Sequence, residues 1–102
     1  MNNHNSDQFN VLRKIKSKPN SSQRQLASEL GFSLGKINYC LQALKDKGLI
    51  KISNFQKNPN KLGYVYNLTP KGIAAKTKLT IDFMKRKMNE YDELKNEIEN
   101  DK

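Results

Sequence analysis

Ala27, Gly31 and Ile37 stand four and six residues apart, and this spacing constrains the chain more than any other feature of its 102 residues. A helix-turn-helix needs a small residue where two helices approach, a Gly at the turn, and a branched apolar residue buried in the second helix. The flanking residues extend the pattern. Ser22 precedes Gln25 by three, a capping-box spacing, and Leu26, Ala27 and Leu30 form the apolar side of a short helix. Gly31 stops that helix because it takes positive φ without a Cβ penalty. Ser33 can cap a further helix that carries Leu34, Ile37, Leu41 and Leu44 inward, and Gly48 closes it. An ordinary αα-corner uses the same packing, so the rest of the chain has to decide between the two.

Upstream, Phe9, Leu12 and Ile15 share one helical face between about Ser6 and Ser17, with Ser6 available as N-cap, and Lys18-Pro19-Asn20 ends the segment. Downstream of Gly48 the period changes to two. Ile50 and Ile52 alternate with Lys51 and Ser53, and Tyr64, Tyr66 and Leu68 with Val65 and Asn67, which predicts two antiparallel strands. Gln56 to Gly63 supply Pro, Asn and Gly for an extended hairpin tip. Thr69-Pro70 then fit the N-cap and first turn of a long final helix. The expected fold is mainly α with a small β-hairpin (α+β). It divides into a head over residues 6–69 and a C-terminal helix over 70–102.

Charge separates the same two regions. Residues 1–81 hold 14 basic and 3 acidic side chains, +11, whereas residues 82–102 hold 5 and 7, −2. So strong a basic field in a small domain calls for a polyanionic partner, with nucleic acid first. One Cys excludes an internal disulfide and a cysteine zinc site, and Cys40, beside core Leu41 with no His or second Cys near it, is expected to be a buried small hydrophobe. His4 has no partners at ligand spacing. Apolar runs fall short of a membrane span, and the start lacks a signal peptide's pattern, so a cytoplasmic protein is expected. Paired catalytic carboxylates, a nucleophile elbow and a phosphate-cradling Gly loop are all missing, and neither enzyme activity nor a metal or cofactor is expected.

In a helix-turn-helix the second helix enters the major groove with its N-terminal turns toward the bases. With Ile37, Leu41 and Leu44 inward, the outward positions are Ser33, Gly35, Lys36, Asn38, Tyr39 and Gln42. Asn38 and Gln42 offer two amides on one face for adenine edges, Lys36 can reach guanine or phosphate, and Tyr39 can donate to phosphate. Ser22, Gln23 and Arg24 open the preceding helix, where free amides and the helix dipole favour a phosphate. Lys57, Asn58, Asn60 and Lys61 make the hairpin tip cationic, suited to a minor groove or its phosphates.

The order of elements, the stretch Leu41-Gln42-Ala43-Leu44-Lys45-Asp46-Lys47-Gly48-Leu49-Ile50 and the stretch Leu68-Thr69-Pro70-Lys71-Gly72 resemble the winged helix-turn-helix of MarR-type bacterial transcriptional regulators over about residues 8 to 100. The chain's shortness resembles the small branch associated with exopolysaccharide gene clusters. The resemblance implies base reading by Ser33 to Gln42 and a wing from Lys57 to Lys61. Full-length members have a further N-terminal dimerisation helix, often with a small-molecule pocket at the dimer junction. This chain lacks the length for that helix, which leaves a small-molecule effector unassigned.

The last helix is too long for the head to cover. Ile73, Thr77, Ile81, Met84, Met88, Tyr91 and Ile98 follow three-and-four spacing, with Leu94 beside Lys95 where a strict heptad wants an apolar residue. This stripe is expected to meet a second copy and make a homodimer that regulates transcription, as a repressor, on double-stranded DNA. Two other readings stay open: a winged helix that docks a protein partner, and a nonspecific nucleic-acid binder.

Overall fold

The computed structural model describes residues 3–54 and 63–101; the expected hairpin tip and the side chain of His4 lie outside the described residues. Four helices and a three-stranded antiparallel sheet follow one another as α1 (Asn3–Ser17), β1 (Ser21–Ser22), α2 (Gln23–Leu30), α3 (Leu34–Asp46), β2 (Ile50–Asn54), β3 (Tyr64–Leu68) and α4 (Pro70–Asn100). α1 begins at Asn3, so Ser6 lies inside the helix and does not cap it, against the sequence expectation. The other expected caps form. Ser22 Oγ accepts from the Gln25 amide while Gln25 Oε1 accepts from the Ser22 amide, at 3.2 and 2.9 Å. Ser33 Oγ accepts from the Lys36 amide, and Thr69 Oγ1 from the Gly72 amide, with Pro70 in the first turn of α4.

The core lies where α1, α2 and α3 converge above the sheet. Val11, Leu12, Ile15, Leu26, Ile37 and Leu44 are its largest fully buried side chains, with Ala27, Leu41, Leu49, Ile50 and Tyr66 around them. Tight interior packing makes each of these sensitive to volume. Cys40 is buried among them, as its sequence context suggested.

β2 and β3 pair as the alternation predicts, with Ile50 opposite Leu68 and Ile52 opposite Tyr66. A third strand, which the sequence pattern does not predict, completes the sheet. Ser21 and Ser22 pair with Tyr66 and Val65 on the other edge of β3, giving the order β1-β3-β2. Asn20 turns the chain into β1 with φ 61°, a left-handed conformation that Asn tolerates better than most residues. Its amide donates to Asn67 Oδ1 at 2.9 Å, and the Asn67 side chain donates back to Asn20 Oδ1 at 2.8 Å. The start of the helix-turn-helix is therefore tied directly to the wing strand.

α4 runs 31 residues, about 46 Å at 1.5 Å per residue. Its front half belongs to the packing of the head. Ala75 and Leu79 lie against the core, and Phe83 meets Phe9 of α1 with ring centroids 5.8 Å apart. Beyond Phe83 every described residue is exposed, and the long axis of the molecule reaches 66 Å.

Candidate nucleic-acid interface

The turn between α2 and α3 is built on Gly31, whose φ of 69° is left-handed. Its amide and that of Phe32 donate to the Ser28 and Ala27 carbonyls, which closes α2 and redirects the chain within two residues. Ala27 and Ile37 are both buried across that turn, as the spacing requires.

α3 thus buries Ile37, Cys40, Leu41 and Leu44 and turns its other side outward. Ser33, Gly35, Lys36, Asn38, Tyr39 and Gln42 are all exposed on that side. Ser33 is committed to its cap, and Lys36 and Gln42 are also engaged within the protein. Lys36 Nζ lies 3.3 Å from Asp7 Oδ2 and 4.2 Å from the Phe32 ring centroid, so part of its charge is already answered from α1. Gln42 Nε2 donates to Asp46 Oδ1 at 3.2 Å, which orients the amide and leaves its carbonyl oxygen directed elsewhere.

Leu34 departs from expectation. Its spacing fits the inward face, yet it is 50% exposed, whereas Ile37 three residues on is buried. The Leu34 carbonyl accepts from Gln23 Nε2 at 3.4 Å, which joins the openings of the two helices. An exposed Leu beside Gly35 at the tip of a groove-sized helix adds an apolar surface to the polar set. Its three-residue offset from Ile37 disguised it as core.

At the start of α2, Ser22 is half-buried and committed to its cap, Gln23 reaches toward α3, and Arg24 is exposed. The hairpin-tip residues Lys57, Asn58, Asn60 and Lys61 lie outside the described residues. A basic hollow of about 490 Å³ between α1, the end of α2 and α4 is lined by Arg13, Lys14, Lys16 and Lys76 together with Glu29 and Leu30. Glu29 pairs with Lys18, and with Lys14 at 3.4 Å, and these lysines hold its carboxyl below the usual range, Lys18 most strongly.

Residues 8–51 match the winged helix-turn-helix DNA-binding family. With β2 and β3 following α3 as the wing, the architecture is settled. The fold is a winged helix-turn-helix.

Solved structures with this winged helix include transcriptional regulators. PcaV from Streptomyces coelicolor, in complex with its natural ligand, matches with a TM-score of 0.70 at 19% identity, over 76% of this chain and 54% of PcaV. A mutant MarR from E. coli, complexed with operator DNA, matches with a TM-score of 0.62 at 29% identity, over 70% of this chain and 49% of that one. FabT from Streptococcus pneumoniae, in complex with DNA, matches with a TM-score of 0.65 at 23% identity, over 81% and 56%. The chain spans about half the length of these structures. No curated protein matches its sequence. Among the described residues no helix of the winged helix is long and apolar enough to cross a membrane.

Proposed function

We propose that this winged helix is a MarR-type transcriptional regulator that binds double-stranded DNA sequence-specifically as a homodimer. The observation that carries the reading is the outward face of α3. Ser33, Gly35, Lys36, Asn38, Tyr39 and Gln42 share one exposed surface on a helix whose opposite side is locked into the core. The DNA-bound state of the MarR and FabT structures supports duplex DNA as the partner.

In this reading α3 enters the major groove. Asn38 and Gln42 pair with adenine edges, Leu34 and Gly35 let the helix tip approach a thymine methyl, and Tyr39 and Lys36 hold phosphates. Arg24, with Ser22 and Gln23, grips the backbone at the start of α2. Lys57, Asn58, Asn60 and Lys61 extend the basic surface to the flanking minor groove. Residues 6–69 form the DNA-binding unit, and residues 70–102 carry the exposed stripe Ile73, Thr77, Ile81, Met84, Met88, Tyr91 and Ile98 that joins two copies. The dimer sets its recognition helices in successive major grooves about 34 Å apart, on a pseudo-palindromic site. Bound there, it represses by occluding polymerase; exopolysaccharide production as the regulated process rests on the sequence resemblance alone.

Nuclease footprinting on fragments of the source genome tests this. At about 150 mM salt with excess competitor duplex, where nonspecific phosphate binding is already weak, the reading expects a discrete protected site with two-fold symmetry. Uniform protection that vanishes with competitor would contradict it.

A further inference from the structure

α4 has two opposite faces with different fates. Ala75, Leu79 and Phe83 pack on the head, whereas Ile81, Met84, Met88, Tyr91 and Ile98 are between 47% and 66% exposed. A stripe this apolar along a single helix is stable in water only when another surface covers it. The charges beside the stripe indicate which surface. One residue past each of Thr77, Met84, Tyr91 and Ile98 stand Lys78, Lys85, Asp92 and Glu99, so this flank is basic toward the head and acidic toward the tip.

A parallel pair of α4 helices would set two heads of like charge side by side. It would also bring Lys95, which lies on the stripe between Tyr91 and Ile98, against the partner's Lys95. An antiparallel pair avoids both, and its register can shift only in steps of seven residues if the stripes are to stay in contact. One register sets Ile81 against the partner's Ile98 and Met88 against the partner's Tyr91. It brings Lys78 beside the partner's Glu99 and Lys85 beside the partner's Asp92, and the two-fold axis repeats each pair. A shift of one heptad in one direction places Lys85 against the partner's Lys85; in the other, Asp92 against the partner's Asp92. Like charges in direct apposition oppose both alternatives.

We propose that α4 pairs antiparallel with α4 of a second copy in the register that joins Ile81 to the partner's Ile98. This rests on the dimeric reading above and gives it a geometry. The two-fold axis falls between Met88 and Tyr91. The head packs on α4 from Gly72 to Phe83, centred about 12 residues from that axis, so the two attachment points stand about 36 Å apart at 1.5 Å per residue. That separation is near the one-turn spacing of successive major grooves, about 34–36 Å.

Disulfide trapping tests the register on the full-length chain in a Cys40→Ala background. Ile81→Cys and Ile98→Cys proteins, mixed and oxidised, are expected to form the mixed disulfide, identified by mass. Neither alone should link to itself, because the two copies of position 81 lie about 26 Å apart, well beyond the roughly 7 Å between Cα atoms that a disulfide spans. A charge swap on exposed residues gives an independent readout. Lys85→Glu should weaken dimerisation about tenfold by sedimentation, and Lys85→Glu with Asp92→Lys in the same chain should restore it. Self-linking of Ile81→Cys would overturn the antiparallel register and keep the dimer through α4. A monomer that forms no disulfide in any mixture yet still gives a discrete footprint would overturn pairing through α4 and keep the DNA-binding reading. A failed rescue by the double swap would overturn the register.

Discussion

Gly72 lies so close to Leu49 that a Cβ at position 72 would stand 1.8 Å from the Leu49 carbonyl oxygen. The approach is held by hydrogen bonds on both sides. The Thr69 amide donates to that same Leu49 carbonyl at 3.1 Å, and Thr69 Oγ1 donates to the Gly48 carbonyl at 2.7 Å. The link between α3 and β2 and the first turn of α4 are thereby clamped together.

Replacing Gly72 by Ala should therefore cost about 3 kcal/mol or more in urea unfolding, since backbone atoms cannot step aside as a flexible side chain would. Gly31→Ala is the informative comparison. Its φ of 69° imposes strain, but no atom lies within 4 Å of the added methyl, and a loss of about 1 kcal/mol is expected. Equal losses at the two positions would contradict the clamp.

Asn38→Ala should reduce affinity for the specific site by about 1–3 kcal/mol and leave binding to random duplex nearly unchanged. Gln42→Ala should behave alike, with a further consequence: Asp46 loses the amide that Gln42 now donates to it. Fluorescence anisotropy on the footprinted site and on a scrambled duplex separates base reading from phosphate contact.

Asp7 pairs with Lys36 at 3.3 Å and would compete with the phosphate contact proposed for that lysine. Asp7→Asn should release that lysine and remove a negative charge near the interface, tightening binding and steepening the dependence of log K on log salt by about one unit. An unchanged slope would place Lys36 outside the DNA contact.

Cys40 is buried, and burial pushes its thiol above the ordinary value, with Asp7 adding to the rise and Lys36 opposing it. The folded protein should react with a thiol reagent at neutral pH only as fast as it unfolds. The folded thiol holds its proton more tightly than the unfolded one. Its contribution to stability is thus full below the unfolded thiol's pKa and is lost as pH rises toward the folded value. Cys40→Ala should flatten that alkaline decline in urea titrations at pH 7 to 10.

Much of the helix-turn-helix was legible because its signals are local and chemically distinct. Ser22 with Gln25, Gly31, Ser33 and Thr69-Pro70 each mark a backbone boundary through a hydrogen bond or a φ that few other residues supply. Ser21–Ser22 as a strand was not legible, since two residues carry no period and the pairing depends on β3, more than forty residues away. Leu34 misled for the opposite reason: its spacing fits the buried face, but it stands in the first turn of α3 and is half exposed. Val11 and Phe83 went unassigned because helix α1 buries a wider face than Phe9, Leu12 and Ile15 define, and α4 has a second apolar side. The engagement of Lys36 by Asp7 joins helices α1 and α3 and has no signature in either segment.

Two copies of α3 reading a symmetric DNA site would leave their mark in a selection of bound sequences from a random duplex library at about 150 mM salt. The expected result is an inverted repeat whose half-sites are centred about one helical turn apart. Recovery of no motif, or of a single unpaired half-site, would contradict it.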